Sequence, residues 1–354
     1  MDRPWCPRVQ ELSLAVLAAL VAAAGAFADA ATRERGVPRR LADTGLYSDF
    51  ASRTIDPRNL PYSPQYPLWS DGAAKSRWIR LPPGTAIDAR DPDAWAFPVG
   101  TKIWKEFAWS RRVETRYLER TRRGWIYAAY VWAEDGSDAI LAPEGGVVSS
   151  QDLGAGRRHR IPSVADCLAC HRGGRSEVLG FSALQLSPDR DPLAPNAEPL
   201  RQGDVTLDAL VRRGMVRGLP RYVLERPPRI AAATPLARAA IGYLHANCSL
   251  CHDSVGPMRS LGVSLRHSLR AKDPRDEPAA GMIECPTRSQ PPGAAPGSIR
   301  WVAPGAPASS AVVTRMQSRS AAAQMPPLGT QLVDAQAVAL LRRWIEEDLG
   351  SPAR

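Results

Sequence analysis

The sequence predicts a multidomain α+β protein, with an N-terminal antiparallel β-sandwich followed by mostly α-helical domains. Three observations lead there. From Leu46 to about Ser150 the chain runs in short alternating stretches separated by turn residues, the signature of strands. Beyond about residue 156 the apolar spacing lengthens to that of helices, with caps and stops. A C-x-x-C-H run then occurs twice, at Cys167 to His171 and at Cys248 to His252.

The 354 residues leave room for two or three cores. The expected division is 1–30 as a signal peptide, 31–155 as the β-sandwich domain, 156–230 as a first motif-bearing segment and 231–354 as a closing helical domain. The leader reads as a charged stretch, Asp2 to Glu11, an apolar run, Leu12 to Phe27, and small residues that place cleavage after Ala28 or Ala30. An uncleaved anchor is the competing reading. The run is short and rich in alanine for a transmembrane helix, and no other stretch is long enough, so no stable membrane span is expected after cleavage. Export points to the periplasm.

Residues 31 to about 45 read as a polar linker. Among the expected strands, Trp78-Ile79-Arg80-Leu81 ends at Pro82-Pro83-Gly84, and Lys102 to Phe107 follows the turn Pro98-Val99-Gly100. Val113, Thr115 and Tyr117 alternate with charged residues, and Trp125 to Trp132 reads as a buried strand. Trp69, Trp78, Trp95, Trp104, Trp109, Trp125 and Trp132 fall here. Space-filling between two sheets is the preferred account of them, ahead of an aromatic surface for carbohydrate or an aromatic substrate. Asp71, Asp88, Asp91 and Asp93 sit in turns, where aspartate commonly bonds its own backbone. No catalytic constellation stands out in this region.

In the second half, Thr206 caps a short helix with Leu207, Leu210 and Val211 on one face and Gly214 as its stop, in a segment that leans on its neighbours for a core. Thr234-Pro235 starts a helix reaching about Ala246, which places Ala240 and Leu244 on one face just before Cys248. Asp334 caps a helix with Val338, Leu341, Trp344 and Ile345 in one stripe, ending at Gly350. Between Met258 and Arg300 a Pro/Gly-rich insertion reads as a surface loop.

Two thiols spaced by two residues reach one edge of a macrocycle, and the next residue turns its imidazole beneath the ring. That is the pattern of covalent c-type haem attachment. With Cys 6 and His 5 in the whole chain, two such runs are not a product of composition. Cys167, Cys170, Cys248 and Cys251 are the expected attachment points for two c haems, and His171 and His252 the proximal ligands. Paired zinc knuckles usually lie closer together and need no histidine after each pair. A thioredoxin-like pair would want a βαβ context. For the second iron the sixth ligand is assigned to Met325, whose following Pro326 and Pro327 hold the chain extended. Met316 is the runner-up, with Met258 and Met282 behind it. For the first iron Met215 is the nearest methionine, and His159, His267 and an open position stay as alternatives. His245 reads as a surface histidine or a support to a ligand, and Cys285 as a buried thiol without a partner.

A helix leading into C-x-x-C-H, a Met-Pro-Pro loop and a closing amphipathic helix with an aromatic together resemble a class I cytochrome c domain, over residues 231 to 350. The resemblance implies that Ala240 and Leu244 meet Trp344 where the first and last helices cross. The whole chain also resembles a little-characterised group of bacterial exported cytochrome c-like proteins, through Phe97 to Thr101, Leu179 to Phe181 with Gln185-Leu186, and Met325 to Leu328. That likeness implies an architecture and no activity.

The formal charge of +10 is carried mostly by arginine. It suits steering of an acidic periplasmic redox partner, and solvated arginine-rich faces account for it equally well. No nucleic-acid partner is expected. The leading expectation is electron transfer between two haems and a redox protein or enzyme. The alternatives are a di-haem enzyme resembling the bacterial cytochrome c peroxidases, or a binding or catalytic β domain served by the cytochrome part.

Overall fold

The structure, a computed structural model, describes residues 36–172, 175–270, 273, 277–287 and 298–350; the expected leader lies outside them. Twelve strands are present among these residues: β1 Tyr47–Asp49, β2 Thr54–Ile55, β3 Leu60–Pro61, β4 Ala74–Arg80, β5 Ile87–Asp88, β6 Lys102–Ala108, β7 Arg112–Thr121, β8 Gly124–Trp132, β9 Ala139–Leu141, β10 Val147–Gly154, β11 Arg157–Ile161 and β12 Val216–Arg217. The helices are α1 Val164–His171, α2 Leu207–Arg212, α3 Arg221–Glu225, α4 Pro235–Asn247, α5 Ala311–Gln317 and α6 Ala335–Arg343, the last continued by a π-helical turn Trp344–Asp348.

Six strands form one antiparallel sheet in the order β3-β4-β6-β7-β8-β9. Its register sets Trp78, Trp104, Tyr117 and Ala128 in one row, and Arg77, Lys105, Arg116 and Ala129 in the adjacent row on the opposite face. The first face packs Trp104, Tyr117, Tyr130 and Trp132 under Val37, Leu41, Leu46 and Tyr47. Trp104 donates its indole N–H to the Thr44 hydroxyl at 2.9 Å, and the Tyr130 hydroxyl donates to the Pro38 carbonyl at 2.8 Å. Residues 36–45 are therefore the sheet's cover, and the linker expectation is corrected there.

The second face packs Ile79, Ile103, Leu118, Trp125 and Tyr127 against Val178, Phe181, Leu186, Leu207, Leu210 and Val223. The segment after the first motif thus closes its core against the sheet. The expected sandwich is also corrected. Among the described residues the other sheets are pairs only, β1-β2, β10-β11 and β12-β5, and irregular chain and short helices cover the large sheet. Alternation shows that a face is buried but carries no record of what buries it. The tryptophans do fill space, with Trp95, Trp104, Trp125 and Trp132 all buried.

A third core holds α4, α5, α6 and the π turn. Thr234 caps α4 by accepting from the Ala237 N–H at 3.0 Å, and Asp334 caps α6 by accepting from Ala337 at 3.1 Å. Ala240, Leu244, Val338, Leu341, Trp344 and Ile345 are all buried in it. A Cβ at Gly242 would lie 2.1 Å from the Tyr66 ring, so only glycine lets this helix lie on the N-terminal part of the chain.

Helix and strand take equal shares of the described residues, 23% each, and long irregular connections separate α4, α5 and α6. The C-terminal part is consequently not mostly helical. The insertion after Met258 is not wholly a surface loop either, since Val263, Leu265, His267, Glu277, Ala279 and Met282 are buried. No helix among the described residues is long and apolar enough to cross a membrane.

Candidate functional site

The first motif lies on α1. Ser163 caps it through a reciprocal box: its hydroxyl accepts from the Asp166 N–H at 3.0 Å, and the Asp166 carboxylate accepts from the Ser163 N–H at 2.9 Å. On a helix, positions i, i+3 and i+4 share a face, so Cys167, Cys170 and His171 present their side chains together. No residue of this helix is fully buried.

The second motif begins where α4 ends, with Cys248 as its C-cap. The His252 N–H bonds to the Cys248 carbonyl at 3.0 Å and folds the motif into a turn. All five described cysteines are free thiols.

Between the motifs lies a cavity with an open mouth. His171 lines it from the first motif, and Ser249 and Leu250, the two residues between Cys248 and Cys251, line it from the second. His245 and His267 complete its imidazoles, and Trp95 and Phe181 are among its apolar walls.

Along its sheet wall, Arg77, Lys105 and Arg116 stand directly opposite one another on β4, β6 and β7. Like charges so placed repel. Glu198 pairs with Arg77 at 2.6 Å and Glu114 with Arg116 at 2.6 Å. The Lys105 ammonium, between them, has a ring contact to Phe107 at 4.7 Å and no carboxylate within ion-pair distance among the described residues, Glu198 attracting it only from further off. Burial holds it well below the ordinary lysine range. A guest bearing carboxylates would offset this row.

His171 donates from Nδ1 to the Glu177 carbonyl at 2.6 Å. That fixes the tautomer and leaves the lone pair on Nε2, the orientation seen in metal-bound histidines. Burial, with Arg116 and Lys105 adding to it, pushes this imidazole down to about 4 despite the Glu177 bond, so it is neutral and able to ligate at ordinary pH. His252 is buried against the Trp301 ring, 5.2 Å between centroids, and its Nδ1 is buried without a partner. A buried polar atom left so is unfavourable unless something else engages it.

Burial pushes the Cys167 thiol up to about 11 and the Cys248 thiol up to about 12. Cys170 is raised by burial and then by the neighbouring Cys251 sulfur, which brings the two motifs together. A redox-active pair needs a lowered thiol, the reverse of these. Among the described residues no three Cys, His, Asp or Glu side chains gather as a metal-holding group. Thiols on one face of α1, an ordered neutral imidazole and a cavity wall carrying cations are compatible with a covalently attached haem and its propionates, with the motif cysteines outside the cavity's own lining.

The remaining candidates scatter. Met325 is half-buried in the loop before α6; its N–H donates to the Arg315 carbonyl at 3.0 Å, and the Arg315 guanidinium is near enough to His252 to help burial lower that imidazole. Met316 and Met282 are buried in the third core, and Met258 is exposed. Met215 packs at the edge of the second core and does not line the cavity that His171 faces. His159 is engaged by Glu114 at 2.9 Å. His245 is not a surface group: it lines the cavity and burial depresses it strongly. Cys285 is half-buried rather than buried.

Asp71 does not serve its own turn but accepts the Gln331 and Leu332 N–H groups at 2.9 and 2.8 Å, tying the β region to the loop that carries Met325. Asp93 similarly accepts from Ser268 and Leu269 at 2.7 and 2.8 Å. The Ser163 box was readable in the sequence as an S-x-x-D pattern. Glu277 gave no such signal, because its role depends on a contact ten residues away. Comparison with protein-family models, with curated proteins and with solved structures returns no match.

Proposed function

We propose that the chain is an exported di-haem c-type cytochrome that passes electrons to or from a periplasmic redox partner, its basic surface favouring an acidic one. The observation that carries this reading is the single cavity bordered by the first motif's histidine and by the residues inside the second motif. Two attachment motifs far apart in sequence meet across one space, as transfer between two centres requires. A bound haem supplies a one-electron Fe(III)/Fe(II) couple.

The protein's part is positional. Cys167, Cys170, Cys248 and Cys251 anchor the macrocycles, while His171 and His252 ligate. Met325 would supply a thioether to the second haem, a soft ligand that would raise that centre's potential.

The mass and visible spectrum of the exported protein test the reading. The expected result is two haem additions, one lost with each pair of Cys→Ala changes, and one high-spin haem in Met325→Ala. Colourless protein with four alkylatable thiols in the motifs would refute the whole proposal.

A further inference from the structure

We infer that His267 is the second axial ligand of the iron carried by the first motif, opposite His171, with Glu277 as its hydrogen-bonding support. This rests on the di-haem reading above and completes it at the centre where sequence left the ligand open.

His267 and His171 line the same cavity. His267 is buried, its Nδ1 bonds to the Glu277 carboxylate at 2.5 Å, and its Nε2 is buried with no partner. Facing an ionised carboxylate, Nδ1 carries the proton, and the neutral imidazole then has its lone pair on Nε2. The tautomer is the one that the Glu177 carbonyl imposes on His171. Both imidazoles therefore offer Nε2, each backed by an acceptor at Nδ1, the arrangement of ligating histidines.

The other candidates are otherwise engaged. His159 bonds Glu114, and Met215 lies outside the cavity lining. His245 accepts the backbone N–H of His267 on Nδ1 at 3.0 Å, which leaves a proton on its Nε2.

The segment bearing His267 is also fixed in place. Leu265 donates to the His252 carbonyl at 2.8 Å, Arg266 pairs with Asp253 at 2.5 Å, and Ser268 and Leu269 bond Asp93. Four consecutive anchors hold one imidazole whose ligating atom has nothing to bind. Such preorganisation places a ligand at little conformational cost. Because the Leu265 anchor is the carbonyl of His252, the first centre's distal ligand is tied to the second centre's proximal one. Two imidazoles favour the ferric state more than imidazole and thioether do, so the first centre has the lower potential of the two.

EPR and visible spectra of the full-length ferric protein, together with its mass, test this. The wild type should carry two haems, both low-spin. His267→Gly should keep both haems and turn one high-spin, and added imidazole should return it to low spin. Retention of the thioether-to-iron band of the second haem shows that the variant is folded. Glu277→Gln should stay low-spin with the first potential raised. Two attached haems with an unchanged spectrum in His267→Gly, or a high-spin haem in the wild type that disappears with the first motif's cysteines, overturns the ligand assignment alone. Fewer than two attached haems in the wild type overturns the di-haem reading itself.

Discussion

The two motif sites are built in opposite ways. Around Cys248 most of the core is supplied by the C-terminal part itself: α4 enters the motif with Ala240 and Leu244 buried, and α6 with the π turn closes the same core through Leu341, Trp344 and Ile345, to which Tyr66, Leu184 and Ala194 are added from earlier in the chain. Around Cys167 nothing local is sufficient. Helix α1 has no fully buried residue, its surroundings come from the sheet, from residues 176–185 and from the insertion, and Lys105 faces the cavity without a carboxylate within ion-pair distance. A site with its own core can keep its shape without a guest, whereas one assembled from distant segments needs the guest to complete its packing.

The contrast breaks most visibly through packing. Trp344→Ala removes a buried indole from the third core and should lower stability by about 4 kcal/mol. Leu168→Ala, on the half-buried flank of α1, should lower it by only about 1 kcal/mol. Denaturant midpoints of the two variants check this, and equal losses would show that the first site is as tightly built as the second.

Helix caps sharpen the same contrast. Ser163→Ala and Thr234→Ala each remove a hydroxyl that accepts a helix N–H and should each cost about 1 kcal/mol. The readouts should differ. Thr234 also bonds Asp348 in the closing segment, so its cost should appear in global unfolding, while the cost of losing Ser163 should fall on local opening of α1, with a lower yield of haem at the first motif and little change in the global midpoint. Haem yield per motif, by mass of tryptic fragments, separates the two.

The same division explains what could be read from the sequence. The second site is local: a cap, a helix, a motif and a closing helix follow one another, and Thr234, Asp334, Ala240 and Trp344 all serve as their residue types suggested. The first site depends on pairings that no window of sequence contains. Arg77, Lys105 and Arg116 become a row only through strand register. His267 meets Glu277, and shares a cavity with His171, only after the insertion has folded back onto the sheet. Asp71 and Asp93 looked like turn residues because their partners, at 331–332 and 268–269, lie far along the chain. The sheet's strands were legible by alternation, while its covers, residues 36–47 on one face and 178–223 on the other, were not.

The smallest expected effect lies in the cover on the far face, remote from both motifs. Asp56 accepts from the Arg58 N–H and guanidinium at 2.9 Å and shorter, and these bonds hold its carboxyl down to about 2. Its folded value lies below its unfolded one, so the stability it contributes is complete above about pH 4 and is lost as pH falls through 2. Arg58 is largely exposed, so solvent screens the pair and the contribution is modest. Asp56→Asn should flatten the fall in denaturant midpoint between about pH 4 and 2 while leaving the haem spectrum untouched. A change in that spectrum would mean that the far face of the sheet communicates with the first motif through the strands carrying Trp104 and Lys105, and the two sites could no longer be treated as separately supported.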